Sequence, residues 1–221
     1  SAKVGSVMLR HDRNKLIDLA MVLSVSYKDC MRLGYDKVKE SMVSEHGRVL
    51  IEAHAYSAPE GNKLYKYHKQ FEKYMSDPRL NSFVICSPGH TKNQMRFPAT
   101  VKGVHSIGLV TSEGQIIGSG AQEVLQPTFL MRDEAFLSEG KHGDLQEFRG
   151  TSAAVGYVAA LAAQAYGSLS CREDPINSIF AALVLISQKI GKSYLIKDER
   201  LLINTLRVLP LTPFATRRRE L

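Results

Sequence analysis

Ser152 stands where a hydroxyl can become reactive. It sits in Gly150-Thr151-Ser152-Ala153-Ala154, which runs into the small apolar stretch Val155-Gly156-Tyr157-Val158-Ala159-Ala160-Leu161-Ala162-Ala163. That pattern predicts a buried helix with the serine in its first turn. Gly150 permits a sharp turn or a close backbone approach, and Thr151 or Ser152 can cap the helix. Backbone N–H groups left over at a helix start, together with the positive end of its dipole, favour negative charge developing on a substrate bound there. The same residues also describe an ordinary capped core helix, and both readings stand on these residues alone.

A serine hydroxyl is a weak nucleophile unless a histidine takes its proton and a carboxylate orients that histidine. The chain has seven histidines: His11, His46, His54, His68, His90, His105 and His142. His54 follows Glu52 by two positions on one face of an apparent strand, so this pair is expected to satisfy itself in or beside the core. No set of His, Cys, Asp and Glu has metal-ligand spacing, so neither a metal site nor a cofactor is expected. Gly118-Ser119-Gly120 is an isolated Gly-x-Gly and reads as a turn, not a phosphate loop.

The elements that position these residues read as an α/β domain: three layers, with a mainly parallel sheet flanked by helices. Leu16 to Ser26 is an apolar run expected to form a buried strand, and Tyr35 to His46 has helical spacing ending at Gly47. Val49 to Ala55 is the next strand. Asn62 is expected to cap a helix through Leu64, Tyr67, Phe71 and Met75, stopped by Asp77-Pro78. Phe83 to Ser87 is a third short strand. Strand, helix, strand at this spacing predicts a parallel sheet with ligands beyond the carboxyl ends of the strands. Those ends bring Ser57, Gly89-His90 and Ser152 towards one crevice. Further on, Val104–Val110 and Gln115–Ser119 read as a hairpin across Thr111-Ser112-Glu113-Gly114. Residues 121–149 read as irregular surface loops. Ile176–Ile186 reads as a second core helix started near Asp174-Pro175.

Three blocks of the chain, in order, resemble the subtilisin-like serine proteases. Gly150 to Ala160 is similar to that family's G-T-S-x-A nucleophile helix. Ser82 to His90, Phe97-Pro98-Ala99 and Val104 to Val110 resemble its core strands and intervening Tyr-Pro-Ala segment. Arg48 to Gly61 is similar to the strand bordering its substrate cleft. The resemblance implies a serine endopeptidase acting on a peptide or protein substrate, with Ser152 as nucleophile and His90 as an oxyanion donor in place of asparagine. It implies that Ala55-Tyr56-Ser57 and Ser87-Pro88-Gly89, with Thr151, border the substrate. Gly156 and Tyr157 depart from the family pattern, which has proline and histidine there. Ser1 to Val7 resembles the helix that follows the family's catalytic histidine, so the chain is expected to be the carboxy-terminal part of a catalytic domain (1–208) with a basic tail (209–221). The triad His and Asp would come from an amino-terminal fragment or companion chain. The alternative is a catalytically inactive relative that binds peptides or serves as a scaffold.

The 221 residues, 44% hydrophobic and 23% charged, fit one globular domain with a sizeable core. The net charge of +7 raises nucleic acid as a partner. Basic residues are dispersed, however, with one dense run at Arg217-Arg218-Arg219 and no interleaved aromatics, which speaks against it. No membrane association is expected, since no apolar run is long enough to cross a bilayer. The three cysteines (Cys30, Cys86, Cys171) are odd in number and read as reduced thiols; with no visible signal peptide, this favours a cytoplasmic location.

Overall fold

The structure, a computed structural model, describes residues 49–62, 65–77, 80–89, 95–117, 126–139, 144–168 and 174–197. The strand expected at Leu16–Ser26, the helix at Tyr35–His46, residue His90 and the tail 209–221 lie outside them.

Strand β1 (Leu50–His54) and β2 (Ser82–Cys86) pair in parallel, with Leu50 opposite Ser82 and His54 opposite Cys86. Helix α1 (His68–Met75) crosses between them, preceded by a short 3-10 turn at Tyr65–Tyr67. Asn62 does not cap α1: its carbonyl accepts from the Tyr65 amide, and the position before the helix is Tyr67, whose side chain makes no capping bond. The 3-10 turn takes up the residues that an Asn62 cap would have made helical. β2 pairs with β3 (His105–Val110), which turns back through Gly114 (φ 78°) into the short antiparallel β4 (Ile116–Ile117).

The described residues within 121–149 are not the loops expected. They contain β5 (Phe129–Arg132), which is parallel to β3, and the antiparallel pair β6 (Phe136–Glu139) and β7 (Leu145–Phe148). Each is four residues long, too short for an alternation to show in sequence. The main sheet ends with β8 (Ser187–Ile190) and β9 (Ser193–Ile196), a hairpin whose second strand runs parallel to β5. Its order is β1-β2-β3-β5-β9-β8, mostly parallel, as expected for the α/β class.

Alternation along the strands sets the three layers. Val49, Ile51, Ala53, Phe83 and Ile85 face α2 (Thr151–Ser168) and α3 (Pro175–Leu185) in the larger core. Val84 and Cys86 point the other way, into a second cluster with Phe71 of α1. β2 is buried throughout, as the inner strand of a covered parallel sheet must be. α2 is buried nearly all round, from Ala153 to Ala162 and at Ala165, and its small side chains let it lie close to β1, β2 and β3. α3 starts as expected: Asp174 accepts from the Asn177 amide at 3.3 Å and Pro175 occupies the first turn. Each fully buried Phe or Leu, such as Phe83, Phe129 and Leu183, contributes about 1.5–3 kcal/mol relative to exposure.

Candidate functional site

The carboxyl ends of β1 and β2 meet the start of α2. Gly150 has φ 94°, a conformation that favours glycine, and its carbonyl accepts from the amides of Ala153 (3.0 Å) and Ala154 (3.2 Å), which begins the helix. Ser152 is therefore not the cap. Its hydroxyl, partly exposed, donates to the Ala55 carbonyl at 3.0 Å. Thr151 is fully buried, and its hydroxyl is 2.8 Å from that of Ser87. This bond ties the end of β2 to the first turn of α2, and the Gly89 amide adds a 3.3 Å bond to Ser87 Oγ. The Ser87 amide in turn donates to the His54 carbonyl at 3.0 Å.

Of the sequence-predicted residues, the structure thus gathers Ala55, Ser57, Ser87, Pro88, Gly89, Thr151 and Ser152 at one end of the sheet. Gly89 has φ 110°, and a Cβ built on it would lie 3.4 Å from Ser57 Oγ. Tyr56 projects to the far side, against the second core cluster, where its ring meets His54 edge-on at 5.6 Å. One residue here escaped the sequence reading. Arg96 donates its amide to the Pro88 carbonyl at 3.0 Å, and its side-chain stem runs past Gly89. No motif pointed to it, because its importance comes from a loop folding back over the strand end.

No described histidine bonds to Ser152. His54 Nε2 is 3.1 Å from Glu52 Oε2, and the Tyr74 hydroxyl donates to the other oxygen of the same carboxylate. This is the self-satisfied pair expected from sequence, here completed by Tyr74. Burial works to raise the Glu52 carboxyl, but bonds from His54, Tyr74 and Ser82 and the His54 charge outweigh it, and the group is held below its usual value. Tyr74 is raised, first by burial and then by the Glu52 charge. His105 lies in the other core, stacked on Phe83 at 4.8 Å and against Phe180 at 5.2 Å, and burial pushes it down to about 4. His68 pairs with Glu72 at 3.5 Å on α1. Burial alone raises the Cys86 thiol, which leaves it inert as a nucleophile. Among the described residues no group of three or more His, Cys, Asp and Glu could hold a metal ion. No described helix is long and apolar enough to cross a membrane.

Known structures share this architecture. The chain is similar to a structure described as the structural basis of subtilase cytotoxin SubAB assembly, with TM-score 0.54, 10% identity, and coverage of 84% of this chain and 67% of that one. It is similar to the prenylagaramide maturation protease PagA, with TM-score 0.51, 17% identity, and coverage of 86% and 70%. It is also similar to the A-subunit of the AB5 toxin from E. coli, with TM-score 0.53, 12% identity, and coverage of 84% and 69%. The fold is subtilase-like.

Membership of the subtilisin-like protease family, implied by the three motif blocks, does not hold. No family model matches the chain, no curated protein matches it, and the structural likeness carries 10–17% identity. The physical reason lies in what the blocks consist of. A buried strand, a glycine turn and an alanine-rich helix are demands of close packing, so short matches to them follow from the architecture. At the departures the chain has its own core: Tyr157, where the family pattern has histidine, packs against Phe136 at 5.2 Å.

Proposed function

We propose that this chain carries the nucleophile of a serine hydrolase that cleaves peptide bonds. The observation behind the reading is the placing of Ser152: a part-exposed hydroxyl in the first turn of α2, 3.0 Å from the backbone of a strand end. In the resting arrangement that hydroxyl donates to Ala55. To react it must rotate away and give its proton to a base. The base and its orienting carboxylate come from outside the described residues, from a companion segment or chain. Assembly into complexes is named for one of the similar structures, which supports a companion chain here.

The chemistry then runs in two halves. Ser152 Oγ bonds to the substrate carbonyl carbon as its proton passes to the base, and the carbonyl oxygen becomes an oxyanion. The Ser152 amide, ahead of the helix's own hydrogen-bond ladder, is one donor to that oxyanion, and His90 is proposed as the second. The carbon–nitrogen bond breaks as the base returns the proton to the leaving amine. Water then attacks the acyl-enzyme and restores Ser152. The substrate backbone pairs along residues 55–57 by strand addition, with 87–89 on the opposite side.

A fluorophosphonate probe applied to the protein in its native assembly tests this. Covalent labelling that Ser152→Ala abolishes is the expected result. The second reading, a peptide-binding scaffold, draws on the commitment of the Ser152 hydroxyl to Ala55 and the lack of a histidine bonded to it among the described residues. Absence of labelling in the intact assembly would overturn the hydrolase and favour that scaffold.

A further inference from the structure

Two buried side-chain nitrogen or oxygen atoms have no hydrogen-bond partner among the described residues: Arg96 Nε and Ser193 Oγ. Ser193 is a neutral hydroxyl in the β8–β9 hairpin. Arg96 is a guanidinium side chain that adjoins Gly89 at the candidate site. Its backbone ties two segments: the Arg96 amide holds the Pro88 carbonyl at 3.0 Å, and the adjoining Phe97 carbonyl accepts from the Ala58 amide at 2.8 Å. The 87–89 and 56–58 segments are therefore bridged by residues 96 and 97.

The side chain runs from that bridge past Gly89. A Cβ placed on Gly89 would meet Arg96 Cδ at 3.2 Å and Cγ at 3.5 Å, with Ser57 Oγ at 3.4 Å. The arginine stem and the Ser57 hydroxyl thus both adjoin one point over Gly89, and Nε is bonded directly to that Cδ. Gly89 has no side chain to come between them. Arginine keeps its charge at any accessible pH and presents donors in a planar fork that suits a carboxylate. Arg96 makes no ion pair with a described residue. A buried donor without a partner is costly, and an incoming acceptor relieves that cost.

We infer that Arg96, with Ser57, reads an acidic side chain, Asp or Glu, of the bound peptide. This rests on the proposed peptide site, and it deepens that reading by naming the substrate class. Arg96 is a specificity-determining residue here; it takes no part in bond breaking.

Binding to the Ser152→Ala protein in its full assembly tests the inference without turnover. The probes are fluorescein-tagged hexapeptides of Ala and Gly, blocked at both ends, with one central Glu, Gln or Lys. Blocking removes the terminal charges, and the tag is common to all three peptides, so the Glu and Gln peptides differ in the side-chain carboxylate alone. By fluorescence anisotropy the Glu peptide should bind about tenfold or more tighter than the Gln peptide, and the Lys peptide weakest. Arg96→Met, which keeps the stem, should erase the Glu preference, and Arg96→Glu should turn it towards Lys. Equal affinity for Glu and Gln peptides, a preference that survives Arg96→Met, or no binding of any peptide would overturn the inference. The Glu–Gln comparison on the Arg96-bearing protein needs no change at that residue, so misfolding of the Arg96 variants cannot mask the answer. A Glu preference in a protein that fluorophosphonate does not label would leave the carboxylate site standing while the hydrolase falls.

Discussion

Replacing His105 with phenylalanine should remove an acid-triggered loss of stability from this protein. The imidazole sits between Phe83 and Phe180 in the main core, where burial holds it at about 4 against an ordinary value of 6.5. The folded state therefore resists protonation that the unfolded chain accepts readily. Between pH 6.5 and 4 the unfolded chain binds more protons at this site, so stability rises with pH across that window and is lost as pH falls through it. Worked from the two values, the penalty is about 2 kcal/mol at pH 5 and about 3 kcal/mol at pH 4. Phenylalanine cannot titrate and keeps a flat ring for the stack. Its larger volume costs on the order of 1 kcal/mol at every pH, an offset that leaves the pH dependence readable. Urea unfolding of both proteins at pH 7.5, 6, 5 and 4 checks this, with the difference between the two curves as the readout. Other groups, Glu52 included, titrate in both proteins and cancel. His105→Phe should be equal or slightly weaker at pH 7.5 and gain steadily on the parent below pH 6. Two profiles that stay parallel from pH 7.5 to 4 would show that His105 titrates normally and that its burial in the stack is wrong.

Glu52→Gln should destabilise the protein at neutral pH, because the carboxylate that accepts from His54 and Tyr74 is lost. Since the folded-state carboxyl is held below its usual value, its contribution is present above the unfolded value of about 4.3 and disappears as pH falls through the folded one. The gap between the Glu52→Gln variant and the parent in thermal melts should therefore narrow below pH 4; a gap that widens with acid would refute the assignment. Ser87→Ala and Thr151→Val each break the buried 2.8 Å hydroxyl bond and should cost about 1–3 kcal/mol in denaturant unfolding. Together they should show a coupling of about 1 kcal/mol, and simple additivity would mean that the two hydroxyls do not hold β2 to α2.

What the sequence made legible was the part written in runs long enough to carry a period. The apolar stretch 83–87, the strand before Ala55 and the helix opened by Asp174-Pro175 each appear where their patterns put them. The βαβ order then sufficed to predict that Ser57, Gly89 and Ser152 converge at one end of the sheet, while His90, expected with them, lies outside the described residues. β5 was not legible, because Phe129-Leu130-Met131 is too brief to distinguish from loop, although it is an inner strand of the sheet. Arg96 was not legible either. Its place depends on two backbone bonds, to Pro88 and from Ala58 to its neighbour Phe97, that no local pattern encodes.

The helix-opening motif shows why a stretch so suggestive of chemistry did not decide a family. Gly150 is accounted for by its left-handed turn, and Thr151 by the buried bond to Ser87. Ala153 and Ala154 are both 0% exposed, and larger side chains would push α2 off the sheet. Four of the five residues from 150 to 154 thus have packing or backbone tasks that any helix entering this corner of the fold would set, with or without catalysis. Ser152 is the exception: it is part-exposed, and its hydroxyl reaches out of the helix to the residue that follows β1. The chemical information in the motif therefore resides in that single side chain. Its reactivity, not the length of the matching stretch, separates a hydrolase from a scaffold built on the same packing.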